Sequence, residues 1–171
     1  MPGSGKSSVG RRLAARIGFR FVDTDDLIET GESRSLNQIL LDEGLSGFRR
    51  IEARYVAGLS MDGPPMVVAT GGSVVYSNRA MGHLKSACVV VFLDTELDDL
   101  QKRLGDLLAR GVVIAPEQSL VNLFAERRPL YLKHAQLVFP AAFPNPEDAA
   151  AELAVCLGAK GFLPSAAGKK A

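Results

Sequence analysis

The chain has 171 residues, 47% of them hydrophobic and 23% charged, with a formal net charge of +1; at about 100–200 residues per domain this is one domain, with no surplus charge to draw nucleic acid or an anionic membrane. Two cysteines, Cys88 and Cys156, are too few for a disulfide framework, the longest apolar run (Cys88 to Leu93) is too short to span a bilayer, and the Gly-, Ser- and Lys-bearing start is no signal region. What remains is a soluble, cytoplasmic protein with a single domain over residues 1–160 and a polar tail over 161–171, read as mobile.

Short β-branched runs alternate with helical stretches. Val9, Leu13 and Ile17 stand four apart and predict a helix over Ser7 to Ile17. Arg20 to Asp23 is a brief strand with Phe21 and Val22 at its middle. Leu36, Ile39 and Leu40 predict a helix that ends before Gly44. Met66 to Ala69 and Val89 to Leu93 read as strands buried on both faces, because they are apolar without alternation. Leu97, Leu100, Leu104 and Leu107 mark a helix opening at Thr95. Arg127 and Arg128 admit a plain reading as a cation pair in a last helical turn before Pro129. Gln136 to Phe139 is a fourth strand, likewise apolar without alternation and read as buried on both faces, and Glu147 to Leu157 an Ala-rich helix opened by Pro146. Strands alternating with helices predict an α/β fold with a parallel sheet.

The strongest local signal is Pro2-Gly3-Ser4-Gly5-Lys6-Ser7-Ser8, which runs into the first helix. Gly5-Lys6-Ser7 closes a Walker A pattern. In such a loop, glycines let backbone N–H groups turn inward around phosphate oxygens, and the helix start adds its positive end. Gly3, Ser4, Gly5, Lys6, Ser7 and Ser8 are therefore the candidate nucleotide cradle. Lys6 would neutralise the β- and γ-phosphates of ATP, and the Ser7 hydroxyl would ligate Mg²⁺. The first glycine of the full pattern would fall one position before Met1, and the strand expected before the loop is not in the sequence. The expectation is a natural protein that begins earlier, with an apolar run ending in glycine.

Asp23, Asp25 and Asp26 follow the Phe21-Val22 strand. Carboxylates at a strand's C-terminal end lie where open parallel sheets bind ligands. Asp23 and Asp25 have period-2 spacing, so extended backbone would point them the same way. Phosphoryl transfer needs one group to organise Mg²⁺ and one to orient the attacking hydroxyl. The alternative is a helix N-cap cluster, with Thr24 or Asp25 as the cap.

Taken in order, Gly-x-Gly-Lys-Ser, Phe21 to Glu29, Gly47-Phe48-Arg49-Arg50-Ile51-Glu52, Thr70-Gly71-Gly72 and Arg127-Arg128-Pro129-Leu130-Tyr131 resemble the shikimate kinase family. The resemblance implies a three-layer fold of the P-loop nucleoside-monophosphate-kinase type. Its parallel sheet would have the order 2-3-1-4-5, here without the first, central strand. The implied reaction is ATP-dependent phosphorylation of the 3-hydroxyl of shikimate in aromatic amino acid biosynthesis, by a monomer. It also implies site roles. Asp25 would contact the acceptor hydroxyls and act as base, and Asp23 would hold Mg²⁺. Arg49 and Arg127 would clamp the substrate carboxylate, which suits paired guanidinium groups. Gly71 and Gly72 would line the substrate turn. Arg110 would close on the phosphates from a lid over residues 108–120, and Arg103 and Pro146 would lie near adenine.

Two departures touch the substrate pocket and its cover. The third glycine of the family's turn is Ser73, and the usual Arg-Pro-Leu-Leu of the lid is Arg110-Gly111-Val112-Val113. Two other readings stay open: a kinase for a related hydroxylated carboxylic acid, and a nucleotide-binding regulatory protein without catalysis. Asp42, Glu43, His83, His134 and both cysteines receive no role.

Overall fold

The computed structural model describes residues 1–109 and 119–163. Helices α1 (Lys6–Ile17), α2 (Thr24–Glu32), α3 (Leu36–Ala57), α4 (Asn78–Ala87), α5 (Leu97–Ala109), α6 (Leu120–His134) and α7 (Pro146–Ala159) surround strands β1 (Arg20–Asp23), β2 (Met66–Ala69), β3 (Val91–Asp94) and β4 (Leu137–Pro140). A 3₁₀ turn, Val74–Tyr76, follows β2. Side-chain caps start five helices: Asp23, Ser35, Ser77, Ser119 and Asn145 each accept a backbone N–H of the first turn. Such a cap stabilises by about 0.5–2 kcal/mol.

The strands pair in parallel as β1–β2, with Phe21 opposite Val67, and β3–β4, with Phe92 opposite Val138. They form two two-stranded sheets, not one. This matches the expected order with its central position open: an apolar cavity of about 410 Å³ is lined by Val67, Val68 and Ala69 on one side and Val91, Phe92 and Leu93 on the other.

Successive residues of a strand point to opposite faces. Phe92 enters a core with Val56 (α3), Val75, Met81 and Leu84 (α4), and Leu123 and Tyr131 (α6). Its neighbours Val91 and Leu93 pack on the other face, against Val9 and Leu13 of α1 and Leu153 and Leu157 of α7. Helices therefore cover both faces, giving three layers. A third cluster, Ile28, Ile39 and Ile51, ties α2 to α3. Full burial of such a side chain stabilises by about 1.5–3 kcal/mol.

One expectation holds: the helix opening at Leu36 breaks at Gly44 (φ 65°, ψ −179°), and a second helical segment completes α3 to Ala57. Others change. Pro129 lies inside α6 and does not end it. Leu123 and Arg127 before it, and Tyr131 and His134 after it, are all buried, which offsets the roughly 3 kcal/mol cost of an interior proline. β4 is half-exposed, with Val138 outward, because it is an outer strand. Where the tail was expected, Phe162 N–H donates to the Leu157 carbonyl at 2.9 Å, and Leu163 packs on the α1–α7 core.

Candidate active site

The phosphate loop keeps the conformation its glycines permit. Gly3 and Gly5 have φ of 74° and 86°, in the left-handed region that side chains disfavour. Gly5 caps α1 without any side-chain hydrogen bond, so the first helical N–H groups face outward for an anion. Ser4 is buried, its hydroxyl donating to the Met1 carbonyl at 2.9 Å; Lys6 Nζ donates to the same carbonyl at 2.8 Å. Burial lowers the Lys6 pKa, while Asp25 and Asp23 pull it up. Ser7 and Ser8 are exposed on the first turn of α1.

A cleft of about 380 Å³ joins this loop to the far end of the chain. Arg103 and Pro146, expected near adenine, both line it, together with Gly3, Ser8, Phe143 and Asn145. Arg103 also approaches the Gly3 carbonyl at 3.5 Å. Phe143 and Asn145 escaped the sequence reading, since neither belongs to a recognisable pattern.

At the end of β1, Asp23 itself caps α2, its Oδ1 accepting from Asp25 N–H at 3.1 Å. The expected caps, Thr24 and Asp25, are instead the first helical residues. The helix begins immediately after Asp23, so Asp23 and Asp25 do not share an extended segment. Asp25 Oδ1 is buried and has no partner. Burial, then the neighbouring Asp23, raises the Asp25 pKa, and Lys6 opposes them. For Mg²⁺, Ser7 and Asp23 supply hard oxygen donors on adjoining elements. No cluster of three or more His, Cys, Asp or Glu residues fit to hold a metal occurs among the described residues. The donors present suit a cation that keeps most of its waters and shares phosphate oxygens.

Arg49 and Arg127 meet across Tyr76. Arg127 is 7% exposed, and its Nε donates to the Tyr76 hydroxyl at 3.1 Å. The Arg49 guanidinium lies 4.0 Å from the ring centroid, with its Nε buried and unpartnered. The adjacent Arg128 turns away and grips Asp94 through two nitrogens, at 2.7 and 3.2 Å. The two arginines are thus split between pocket and strand end, against the alternative reading of a plain cation pair.

Gly71 and Gly72 complete the pocket. A Cβ on Gly71 would collide with Glu52 Oε1 and lie 3.1 Å from Asp25 Oδ1; one on Gly72 would lie 3.0 Å from Arg127 Nη1. Glycine is needed here for space. Glu52, only 1% exposed, is held by the Ser73 hydroxyl, which donates to Oε2 at 2.5 Å. Burial raises its pKa to about 6. Sequence reasoning assigned no role to Glu52, Tyr76 or Tyr131, and read Thr24 only as a cap, because their partners come from distant elements. Arg110 and most of the expected lid lie outside the described residues.

A phosphate loop opening a helix, carboxylates at the end of β1, and two guanidinium groups over a glycine turn define a P-loop small-molecule kinase. The family model for shikimate kinase matches residues 2–157. The chain belongs to the shikimate kinase family. It is 42% identical over 134 residues to a Synechococcus shikimate kinase, covering 77% of this chain and 66% of that protein. It is 35% identical over 161 residues to the Thermobifida fusca shikimate kinase, covering 94% and 92%. The solved structure of Acinetobacter baumannii shikimate kinase in complex with shikimate superimposes with a TM-score of 0.82 at 30% identity, covering 92% of this chain and 89% of that one. No helix among the described residues is long and apolar enough to cross a membrane.

Proposed function

We propose that this protein transfers the γ-phosphoryl group of ATP to the 3-hydroxyl of shikimate, as a cytoplasmic monomer serving aromatic amino acid synthesis. The observation that carries this reading is the pairing of opposite chemistries in one pocket. Arg49 and Arg127 offer guanidinium groups, and Asp25 Oδ1 and Glu52 Oε1 are buried acceptors without donors. A hydroxylated carboxylic acid satisfies both sets: its carboxylate takes the arginines and its hydroxyls take the carboxylates.

Each residue then has a task. Asp25 orients the acceptor hydroxyl and receives its proton. Lys6 and the N–H groups at the start of α1 stabilise charge that develops on the phosphoryl oxygens. Arg103 and Pro146 flank the base of the nucleotide. Arg110, which lies outside the described residues, would by the family resemblance act on the phosphates. Mg²⁺, held by Ser7 and Asp23 with the nucleotide, would offset phosphate charge.

The test is ADP release from ATP·Mg²⁺ with shikimate, with its carboxamide analogue, and with no acceptor. Shikimate-dependent release, largely lost with the carboxamide, is the expected result. Equal release without acceptor would contradict the proposal.

A further inference from the structure

The turn after β2 is held from three directions. Gly71 N–H donates to Thr24 Oγ1 of α2 at 3.1 Å, and the Gly72 carbonyl accepts from the Tyr131 hydroxyl of α6 at 2.8 Å. The Ser73 hydroxyl donates to Glu52 Oε2 of α3 at 2.5 Å. The first two bonds use only the turn's backbone. The third depends on its one side chain. Ser73 has φ −93° and ψ −4°, a conformation open to any residue, so it carries a side chain there without backbone strain.

That bond fixes where the rest of Glu52 points. Oε1 is buried and unpartnered, and so is Asp25 Oδ1. Both oxygens flank the point where Gly71 lacks a Cβ. Two buried acceptors beside one spot require donors. Arg127 and Tyr131 from α6, Lys6 from α1 and Asp25 from α2 are the charged or titratable groups acting on Glu52. Of the hydrogen bonds to its carboxylate, the one from Ser73 is the side-chain contact that orients it.

We propose that Ser73 is a positioning residue. It holds Glu52 so that Oε1 joins Asp25 Oδ1 in accepting hydrogen bonds from the hydroxyls of the carboxylic-acid substrate. This rests on the acceptor reading above. It makes Glu52 a specificity element that favours an acid with a hydroxyl beside Gly71.

Steady-state kinetics of the full chain, with shikimate and ATP varied separately across pH, test it. Ser73→Ala should raise KM for shikimate about ten-fold, with kcat and KM for ATP changed less than about two-fold, the effect of one buried hydrogen bond. Losing the donor also leaves the Glu52 carboxylate less stabilised, so the acid limb of kcat/KM for shikimate should move to higher pH. Ser73→Thr, which keeps the hydroxyl, should restore both. Removing one shikimate hydroxyl should weaken the wild type but not Ser73→Ala. If Ser73→Ala melts below the assay temperature, Ser73→Gly carries the same expectations. An active wild type with an unchanged KM and acid limb in these variants overturns this proposal alone, and so does an equal loss for ATP. A wild type inactive on shikimate overturns both this proposal and the acceptor reading.

Discussion

Arg49 and Arg127 share one aromatic ring: their guanidinium carbons lie 4.0 and 5.3 Å from the Tyr76 centroid. A guanidinium held against a ring keeps its edge nitrogens available for a ligand. Tyr76 also accepts from Arg127 Nε at 3.1 Å and donates to Glu126 at 2.6 Å. The ring thereby sets the spacing of two cations that sequence alone places far apart.

Arg49→Ala and Arg127→Ala should therefore weaken the acid substrate far more than ATP. A charged hydrogen bond contributes roughly 1.5–3 kcal/mol, so each loss should cost about ten- to a hundred-fold in kcat/KM. Equal loss of ATP affinity, measured by separate titrations, would remove the carboxylate-clamp assignment.

Asp25→Asn should nearly abolish turnover and leave ATP binding intact. Base and positioning effects of this kind are worth about 10²–10⁴-fold. Calorimetry with nucleotide and single-turnover kinetics separate the two; a kcat near wild type would show that Asp25 is not the catalytic aspartate.

Gly71→Ala places a Cβ against Glu52 Oε1 and 3.1 Å from Asp25 Oδ1. Both carboxylates are packed, so the turn must shift. The variant should lose shikimate binding while α1 and the nucleotide cleft stay intact. Unaltered shikimate affinity would mean the pocket has room that the structure lacks.

Burial raises Glu52 from 4.5 to about 6. The folded state therefore holds this proton more tightly than the unfolded state. Its contribution to stability is present below pH 4.5 and lost as pH rises through about 6. At 1.36 kcal/mol per unit the change is on the order of 2 kcal/mol. Glu52→Gln, neutral throughout, should flatten this fall in urea melts of the free protein. The same slope in both proteins would contradict it.

The glycine spacing around Lys6 and the β-branched runs made the phosphate loop and all four strands legible, with edges off by a residue or two at β3 and β4. The family blocks marked Arg49, Asp25, Gly71 and Arg127, but not what holds them. Tyr76, Glu52 and Ser73 act through contacts between β2's turn, α3 and α6, and no local pattern encodes such convergence. Asp23 as a cap was missed because helix α2 starts at Thr24, one residue sooner than a Thr24 cap would place it. Pro129 misled for a related reason: buried side chains on both sides carry α6 through a residue that locally stops helices.

Phosphorus NMR of the purified protein turning over ATP·Mg²⁺ with shikimate tests the central claim most directly. The account predicts one new phosphomonoester, on the 3-hydroxyl, formed in step with ADP and absent in Asp25→Asn. Inorganic phosphate as the sole product, or a phosphoryl group on another hydroxyl, would contradict it.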